Sequence, residues 1–283
     1  MKSATKAPRR NALWVRLSPA LTAGALIVFL ALVIAICPQW FATHDPELFD
    51  YDALLVGPSV QHWFGTDSFG RDIYSRVIWA FRVDLQMAVF ATVFSVIFGT
   101  VMGASVGFFG GILDTVVGRV IDVIVIFPFL VLIIAIVALL GPGLINMYIA
   151  MTAVGWVFYC RLMRAEIRVQ KNLDYAAAAR GLGYSNLRIV VRHLIPNAMT
   201  PVLIYWMTDM ALAVLLGSSL GYLGLGAQPP EAEWGVLIAD GKNYIETAWW
   251  MSVFPGVAIL LLGLGLSLLS DGLAEYFNRQ EHA

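Results

Sequence analysis

The residues in this sequence that could carry out chemistry are few and stand apart from one another. A buried nucleophile needs a general base at the same depth on a facing element, for example a serine beside a histidine. The apolar stretches contain serines without a histidine at matching depth: Ser95, Ser105, Ser218, Ser219 and Ser267. The histidines show no spacing typical of metal ligands: they are His44, His62, His193 and His282. The sequence therefore predicts a protein that is not an enzyme and that holds no metal.

Two carboxylates fall inside long apolar stretches, where an ionised side chain is costly and usually faces a cavity or a partner. Asp209 lies about 20 Å beyond Pro196 along a helix that rises 1.5 Å per residue. It either lines a path and meets an amino group or a metal ion, or it bonds helices together. Asp122 lies three residues after Arg119, so a helix would place them as an ion pair. Contact with a solute is the alternative for Asp122.

The elements that position these residues are predicted to be membrane helices. Of 283 residues, 59% are hydrophobic and 13% charged, about half the charged share of a soluble domain. A helix needs about 20 apolar residues to cross a bilayer, and six runs approach that length: 19–39, 85–109, 116–140, 143–160, 199–222 and 249–270. Because lipid offers the backbone no partners, we expect an all-α integral membrane protein with six transmembrane helices.

The distribution of positive charge predicts the orientation of these helices. Among 18 Lys and Arg residues, only Arg71, Arg76, Arg82 and Lys242 would face outward if the N-terminus lies inside. The excess of positive charge on one side favours an N-in, C-in topology. The first apolar run is too long for an ordinary signal peptide and lacks a cleavage site, so we expect an uncleaved anchor.

A basic, alanine-rich segment, residues 161–198, interrupts the apolar pattern. Asp174 is a natural N-cap for a short helix over 175–182, and Gly181 and Gly183 are natural stops. The middle of this helix and its flank carry small and basic residues: Ala176, Ala177, Ala178, Ala179, Arg180, Arg188 and Arg192. Small side chains leave the backbone approachable by an acidic cleft on a partner. Alternatively, the alanines are only good helix formers and the arginines only hold the loop inside. Ser185 can cap a second helix over 186–195 that turns at Pro196.

Two segments are predicted on the outer side. Segment 40–84 ends in an amphipathic stretch that predicts a helix along the outer interface; its shared face holds Ile73, Val77, Ile78 and Phe81. Loop 223–248 contains Pro229-Pro230, which stops a helix, and a short turn at Trp234. The two segments form either a docking face or a well-packed cap.

Glycines recur at every fourth position in the second apolar run, at Gly99, Gly103 and Gly107. This spacing allows two membrane helices to approach backbone to backbone. We therefore predict tight packing within the bundle, with a moving seam at a gate as the alternative.

One motif in segment 161–198 has a recognisable spacing. Ala177-Ala178-Ala179 is followed after three residues by Gly183, and after nine more by His193-Leu194-Ile195-Pro196. The segment resembles the cytoplasmic loop of binding-protein-dependent ABC transporter permeases, whose signature is Glu-Ala-Ala, three residues, Gly, nine residues and Ile-x-Leu-Pro. Ala177 stands where the glutamate usually lies, and His193 where the isoleucine does. The resemblance implies a type I importer permease bundle and a set of residues that couple it to an ATPase subunit: Asp174, Tyr175, Ala176, Ala177, Ala178, Ala179, Arg180, Gly181, Gly183 and Pro196.

Three further stretches are similar to the peptide/nickel importer subgroup and its "C"-type permease. The outer-face motifs comprise His62 to Asp72 and the loop before the last span, with Gly65, Thr66, Asp67, Gly70, Arg71, Asp72, Gly224, Gly226 and Trp234. Arg119, Asp122 and Pro128 are similar to the third-span pattern of that subgroup. The resemblance covers nearly the whole chain from about residue 40. It implies a cytoplasmic tail (1–18), an anchor with an outer loop (19–84), a permease domain (85–275) and a second tail (276–283).

The resemblance also implies partners. A second homologous permease, in a heterodimer, would complete the path, two ABC ATPase subunits would hydrolyse ATP, and an external solute-binding protein would deliver the solute. This chain lacks a Gly-x-x-x-x-Gly-Lys-Ser/Thr phosphate loop, so ATP and Mg are expected on the partner subunits and no cofactor on this chain. The implied home is a bacterial plasma membrane with its lipid, and no nucleic acid is expected.

The substrate stays open at this point. Small peptides are the first expectation, with nickel, glutathione or another small polar solute as alternatives. A function of a different class is that of a secondary transporter working without ATP, which often shows two related halves and broken helices. Neither feature is evident in the sequence.

Overall fold

The structure is a computed structural model that describes residues 18–281, so the predicted N-terminal tail lies almost wholly outside the described residues. Within this range the chain is helical, without a β-strand and with one isolated bridge between Thr66 and Asp72. The helices are α1 (Pro19–Ile36), α2 (Ile73–Phe109), α3 (Gly111–Ile126), α4 (Phe129–Leu140), α5 (Leu144–Gln170), α6 (Asp174–Gly181), α7 (Asn186–Ile189), α8 (Ile195–Tyr222), α9 (Trp234–Gly241) and α10 (Trp250–Glu281). Short 3₁₀ turns cover Pro38–Trp40 and Lys242–Tyr244.

The prediction of six apolar spans is met only in part. Among the described residues, four helices are long and apolar enough to cross a membrane: α1, α2, the continuous helix 186–222 and α10. The pair α3 and α4 makes a fifth candidate if it counts as one broken span. Helix α5 covers the fourth predicted run but is more polar, with Asn146, Tyr148 and Thr152 along its length.

The prediction of a separate amphipathic helix along the interface is wrong. Residues 73–109 form one helix of 37 residues, α2, about 55 Å long. Ile73, Val77 and Ile78 do share a face, but that face is buried in the bundle rather than laid on a membrane surface. The reason is local, because no glycine or proline interrupts the sequence between the amphipathic stretch and the apolar run.

The third predicted run, 116–140, is broken rather than straight. Helices α3 and α4 meet at an angle of 92°. The break falls at Phe127, whose backbone is extended with φ −82° and ψ 140°. A residue before proline is pushed out of the helical region, and Pro128 follows it.

The glycines of α2 lie against α5, as predicted for tight packing. A Cβ added at Gly99, Gly103 or Gly107 would lie 2.5, 2.5 or 2.9 Å from a carbonyl oxygen of α5. The three oxygens belong to Trp156, Cys160 and Arg164, which recur at the same fourfold spacing. The two backbones are therefore in register over about two turns, an approach that larger side chains would prevent.

The predicted turn at Pro196 does not form. Helix α7 continues through a π-helical segment, Val190–Leu194, directly into α8, and the whole stretch 186–222 is one helix. The backbone N–H of Ile195 bonds to Val190 O, five residues earlier. The wider π turn accommodates a proline near the start of α8, where one backbone donor is missing. Ser185 caps α7 as predicted, its hydroxyl accepting from Arg188 N at 3.4 Å.

The long helices give the bundle two ends. Residues 37–72 and 223–249, here called the loop end, gather around the N-terminus of α2. Helices α6 and α7, here called the α6 end, lie near the other end of α2, where Lys171 Nζ donates to Gly107 O at 2.8 Å. The residues expected to couple to an ATPase and the outer-face motifs therefore lie at opposite ends of α2.

Candidate functional site

Helix α6 begins one residue earlier than the sequence indicated. Leu173 occupies the N-cap position and Asp174 is the first helical residue, with no capping bond from its side chain. Asp174 still places a negative charge in the first turn, which the helix dipole favours. The helix ends at Gly181, and Gly183 follows with φ +78°, a conformation that favours glycine.

The alanines of α6 divide between two faces. Ala176 and Ala179 are buried against the bundle in a cluster with Met163 and Ile167. The opposite face is exposed and follows helical spacing: it consists of Asp174, Ala177, Ala178 and Gly181. We call this set the α6 face. Its side chains are small, so the helix backbone is accessible from outside the bundle.

Two exposed leucines border the α6 face. Leu182 and Leu187 are each 72% exposed. Both leucines are therefore available to a partner that binds the α6 face. Tyr175, by contrast, is half-buried, and its hydroxyl donates to Gln170 Oε1 at 2.6 Å. Pro196 is exposed at the start of α8.

Two of the three arginines expected to meet an acidic partner have contacts within the chain. The Arg180 guanidinium donates to Lys171 O, and the Arg188 guanidinium lies 4.2 Å from the centre of the Tyr184 ring. Both side chains are exposed, so these contacts orient their charge without burying it. Arg192 is exposed as well.

The ion pair predicted between Arg119 and Asp122 is wrong. Both side chains are exposed on α3, and in the described part of the chain they do not form an ion pair with each other. The acidic group that does pair is Asp114, at the start of α3, which bonds to Arg164 and to Arg168 Nη2, the latter at 2.6 Å. The sequence carried no signal for this pairing, because α3 and α5 are distant in the chain.

Asp209 bonds to a neighbouring helix. Tyr159 Oη on α5 donates to Asp209 Oδ2 on α8 at 2.6 Å. Asp209 is partly buried, and Tyr205 packs edge-to-face on Tyr159 with 5.1 Å between ring centres. The contact matches the interpretation in which Asp209 bonds helices together, and it leaves the interpretation as a path residue open.

The outer-face motif is largely internal structure. The side chain of Asp67 accepts from the backbone N–H of Phe69 and Arg71 at 2.8 and 2.9 Å and from Arg71 Nε at 2.6 Å. Thr66 Oγ1 accepts from Val56 N at 2.8 Å, and Thr66 O accepts from Trp250 Nε1 at 3.1 Å. Both motif residues are buried. These bonds favour a packed cap that ties the loop end to α10.

The motif glycines allow this cap to close. Gly65 and Gly70 both have φ +75°, and a Cβ at Gly70 would lie 1.7 Å from Asp50 O. Gly224, with φ +76°, follows α8 as its helix stop. Gly226 packs on Gly221, where a Cβ would lie 3.0 Å from the Gly221 Cα. Each position thus needs glycine for a turn or a close approach.

Asp72 has two roles that the motif did not reveal. Its Oδ2 caps α2, accepting from Ser75 N at 2.8 Å and Ser75 Oγ at 2.7 Å. Its Oδ1 faces His62 Nδ1 at 3.0 Å and His44 Nδ1 at 3.7 Å. The interpretation of the histidines as scattered is therefore wrong for these two, which the fold brings to one carboxylate.

Trp234 is fully buried at the start of α9, and its Nε1 donates to Val77 O at 3.1 Å. Its backbone N–H donates to Asp84 Oδ2 at 3.3 Å. Ser218 Oγ donates to Asp84 Oδ1 at 3.2 Å. Helices α2, α8 and α9 are joined through this one aspartate.

Glu233 lies beside Asp84 and is also buried. It caps α9 by accepting from Gly235 N at 2.7 Å and Val236 N at 3.0 Å. Burial raises the pKa of Glu233 above its usual range, although the two N–H groups lower it. Sequence reasoning missed both carboxylates; a charged residue directly before an apolar run was the available signal for Asp84.

Comparison of the sequence with known proteins identifies a family and several relatives. A sequence model of the family described as "Binding-protein-dependent transport system inner membrane component" matches residues 95–281. The chain is 38% identical over 258 residues to the "Probable D,D-dipeptide transport system permease protein DdpC" of Escherichia coli K12, covering 91% of this chain and 87% of that protein.

Two further relatives show similar coverage. The "Glutathione transport system permease protein GsiD" of Escherichia coli O6:K15:H31 is 40% identical over 253 residues, which is 89% of this chain and 84% of that protein. The "Dipeptide transport system permease protein DppC" of Alkalihalophilus pseudofirmus is 37% identical over 252 residues, with 89% and 83% covered.

Proposed function

This chain belongs to the family of inner-membrane components of binding-protein-dependent transport systems, and we propose that it is the permease subunit of an ATP-driven importer of small peptides. Two of the relatives above are named for dipeptide transport and one for glutathione transport. Substrates of this kind share an amino group, a carboxylate and at least one amide bond. Dipeptides are the first choice, and glutathione is the second candidate.

The observation that carries the mechanism is the α6 face. A short helix whose exposed side is Asp174, Ala177, Ala178 and Gly181 can enter a cleft on an ATPase subunit without large side chains in the way. Its other side is fixed to the bundle through Ala176 and Ala179. Movement of the ATPase would therefore be transmitted to α5 and α8, between which the short helix is inserted in the chain.

The permease path needs a second chain. An apolar groove of about 830 Å³ runs along α2 and α5, lined by Phe90, Phe94, Ile97, Phe98, Ile145 and Ile149. We assign this groove to a second, homologous permease subunit, because it lies on the two helices that form the centre of this chain's own bundle. We propose that the two permeases form a heterodimer, as the family resemblance implies.

The proposed topology has six spans with both termini inside the cell. In this arrangement α5 and the bent pair α3 and α4 each count as one span. Two polar side chains of α5 are bonded within the bundle: Thr152 Oγ1 donates to Ala91 O of α2 at 3.4 Å, and Asn146 Nδ2 donates to Leu140 O of α4 at 3.0 Å. The α6 end then faces the cytoplasm, where two ATPase subunits carry ATP and Mg. The loop end faces the external binding protein, to which it presents exposed aromatic side chains such as Trp40, Tyr51 and Trp63.

Uptake of a labelled dipeptide into proteoliposomes tests this function. Vesicles contain this chain, its second permease and the ATPase subunits, with the binding protein outside. Uptake is expected only with ATP on the ATPase side, and unlabelled dipeptide should compete more strongly than glutathione. Vesicles with an ATPase subunit unable to hydrolyse ATP serve as the control. ATP-independent uptake by this chain alone would contradict the proposal and favour a secondary transporter.

A further inference from the structure

Three side chains with metal-binding atoms meet at the loop end. His44, His62 and Asp72 each offer one ligand atom, and these atoms all lie within 4.8 Å of one another. Asp72 Oδ1 is 3.0 Å from His62 Nδ1 and 3.7 Å from His44 Nδ1. Ligands at 2.0–2.1 Å around a tetrahedral zinc ion lie about 3.3 Å apart. The two separations from Asp72 Oδ1 bracket that value, and the two histidine nitrogens lie within 4.8 Å of each other, so the three atoms can converge on one ion if the imidazoles move closer together.

The carboxylate is held in place through one oxygen, while its other oxygen contacts His62 Nδ1. Ser75 donates from its backbone N–H and its hydroxyl to Asp72 Oδ2. Asp72 Oδ1 is thereby turned towards the two imidazoles. A carboxylate oriented by outer hydrogen bonds is a regular feature of metal sites.

The segment that carries His44 is fixed by the same serine. Ser75 Oγ accepts from His44 N at 2.9 Å and from Thr43 N at 3.2 Å. Thr43 Oγ1 lies 3.0 Å from His44 Nδ1 and 3.4 Å from Asp72 Oδ2. The backbone position of His44 relative to Asp72 is therefore set by the N-terminus of α2, before any ion is considered.

One side of the cluster is open to solvent. The Asp72 side chain is 1% exposed and that of His62 15%, whereas that of His44 is 39% exposed. A groove of about 480 Å³ is lined by His44, Asp45 and Glu47. Acidic side chains around an entrance raise the local concentration of cations.

We propose that His44, His62 and Asp72 form a binding site for a divalent transition-metal ion of the zinc class. Two imidazole nitrogens and one carboxylate oxygen suit zinc and its neighbours better than calcium or magnesium, which prefer oxygen ligands alone. Three protein ligands with an open side leave a fourth position for water or for a group on another molecule. The bound ion would join the segment after α1, the loop before α2 and the N-cap residue of α2, and so would stiffen the loop end.

Zinc titration of the full-length chain tests the site. The chain is purified in detergent without a polyhistidine tag, stripped with a chelator and titrated with Zn²⁺ by calorimetry, with the thermal unfolding midpoint as a second readout. We expect one Zn²⁺ per chain and a rise of the midpoint that a chelator reverses. His44→Gln and His62→Gln are each expected to weaken binding at least tenfold, and the double variant to abolish it.

Two control variants match these changes. His193→Gln removes a histidine at the α6 end, where it stacks on Tyr184, and Asp52→Asn removes an exposed carboxylate at the loop end. Both should bind Zn²⁺ like the unmodified chain. His44 is the more exposed histidine, so His44→Gln keeps the test valid even if His62→Gln fails to fold. Absence of one-to-one binding, or equal affinity in the His44→Gln variant, would show that His62 and Asp72 form only a hydrogen bond and would overturn the proposal.

Discussion

Tyr159 Oη donates a 2.6 Å hydrogen bond to Asp209 Oδ2, and this bond joins the middle of α5 to the middle of α8. It is a polar contact between two helices that pack through apolar side chains. Such contacts are worth about 0.6 kcal/mol on average within membranes, and up to about 1.7 kcal/mol. Removing only the donor costs more, because a carboxylate then stays behind without its partner.

Tyr159→Phe is therefore expected to lower stability by about 1–2 kcal/mol, whereas Asp209→Asn keeps an acceptor and should assemble normally. Thermal unfolding and size-exclusion chromatography of the assembled transporter measure both effects. Tyr205→Phe, on the neighbouring ring, is the matched control. If Tyr159→Phe unfolds at the same temperature as the unmodified chain, the bond does not hold α5 to α8. Loss of uptake in a well-assembled Asp209→Asn variant would assign Asp209 to the path.

The close approach of α2 to α5 predicts that a side chain larger than that of glycine at Gly103 destabilises the bundle. A single added methyl group would lie 2.5 Å from Cys160 O, so Gly103→Ala must separate the two backbones. Overpacking of this kind typically costs about 1–3 kcal/mol. Gly263→Ala is the matched control, since nothing lies within 4 Å of a Cβ at that position in α10. Unfolding midpoints compare the two variants, and an equally stable Gly103→Ala protein would contradict the close approach.

The buried Glu233 predicts a pH dependence of stability. Burial raises the pKa of Glu233 in the folded chain because it favours the protonated form. The contribution of Glu233 to the free energy of unfolding is therefore largest below its ordinary pKa of about 4.3. That contribution is lost as the pH rises through the raised pKa. Glu233→Gln cannot ionise and should show a flatter curve of unfolding midpoint against pH. Parallel curves for the variant and the unmodified chain would mean that Glu233 does not ionise across this range.

Gly183 is expected to be indispensable for coupling. Its φ of +78° costs other residues about 1–2 kcal/mol, and it follows the α6 face directly. Gly183→Asp adds both that strain and a charge, so uptake should be lost while the permease still reaches the membrane. Gly118→Ala is the control, since Gly118 lies in α3, outside the α6 face, and nothing lies within 4 Å of an added Cβ there. Full uptake by Gly183→Asp would remove Gly183 from the coupling surface.

The features that could be predicted from the sequence are local ones. Fourfold glycine spacing predicted the contact made by Gly103 because a small residue at each turn has few other uses in a membrane helix. Ser185 was recognised as a cap from its own neighbours. The N-cap of α6 was assigned to Asp174 although it is Leu173, because Leu173 occupies that position without a side-chain bond.

The features that could not be predicted depend on long-range packing. His44 and His62 meet only because the loop before α2 folds back onto Asp72, and Asp84 meets Trp234 across 150 positions of the chain. The bend at Phe127 was missed although Pro128 signalled it, since continuous apolarity concealed the break. Arg119 and Asp122 had suitable spacing, but neither is shielded from solvent, so their pairing gains little.

Cysteine cross-linking at α6 tests the central claim most directly. In a chain whose Cys37 and Cys160 are replaced by serine, Ala177→Cys lies on the α6 face, whereas Ala176→Cys is buried one residue earlier. With the ATPase subunits present, Ala177→Cys is expected to cross-link to them and Ala176→Cys is not. A label reaching Ala177→Cys only from the external side, or no cross-link from it to the ATPase in an active transporter, would contradict the account.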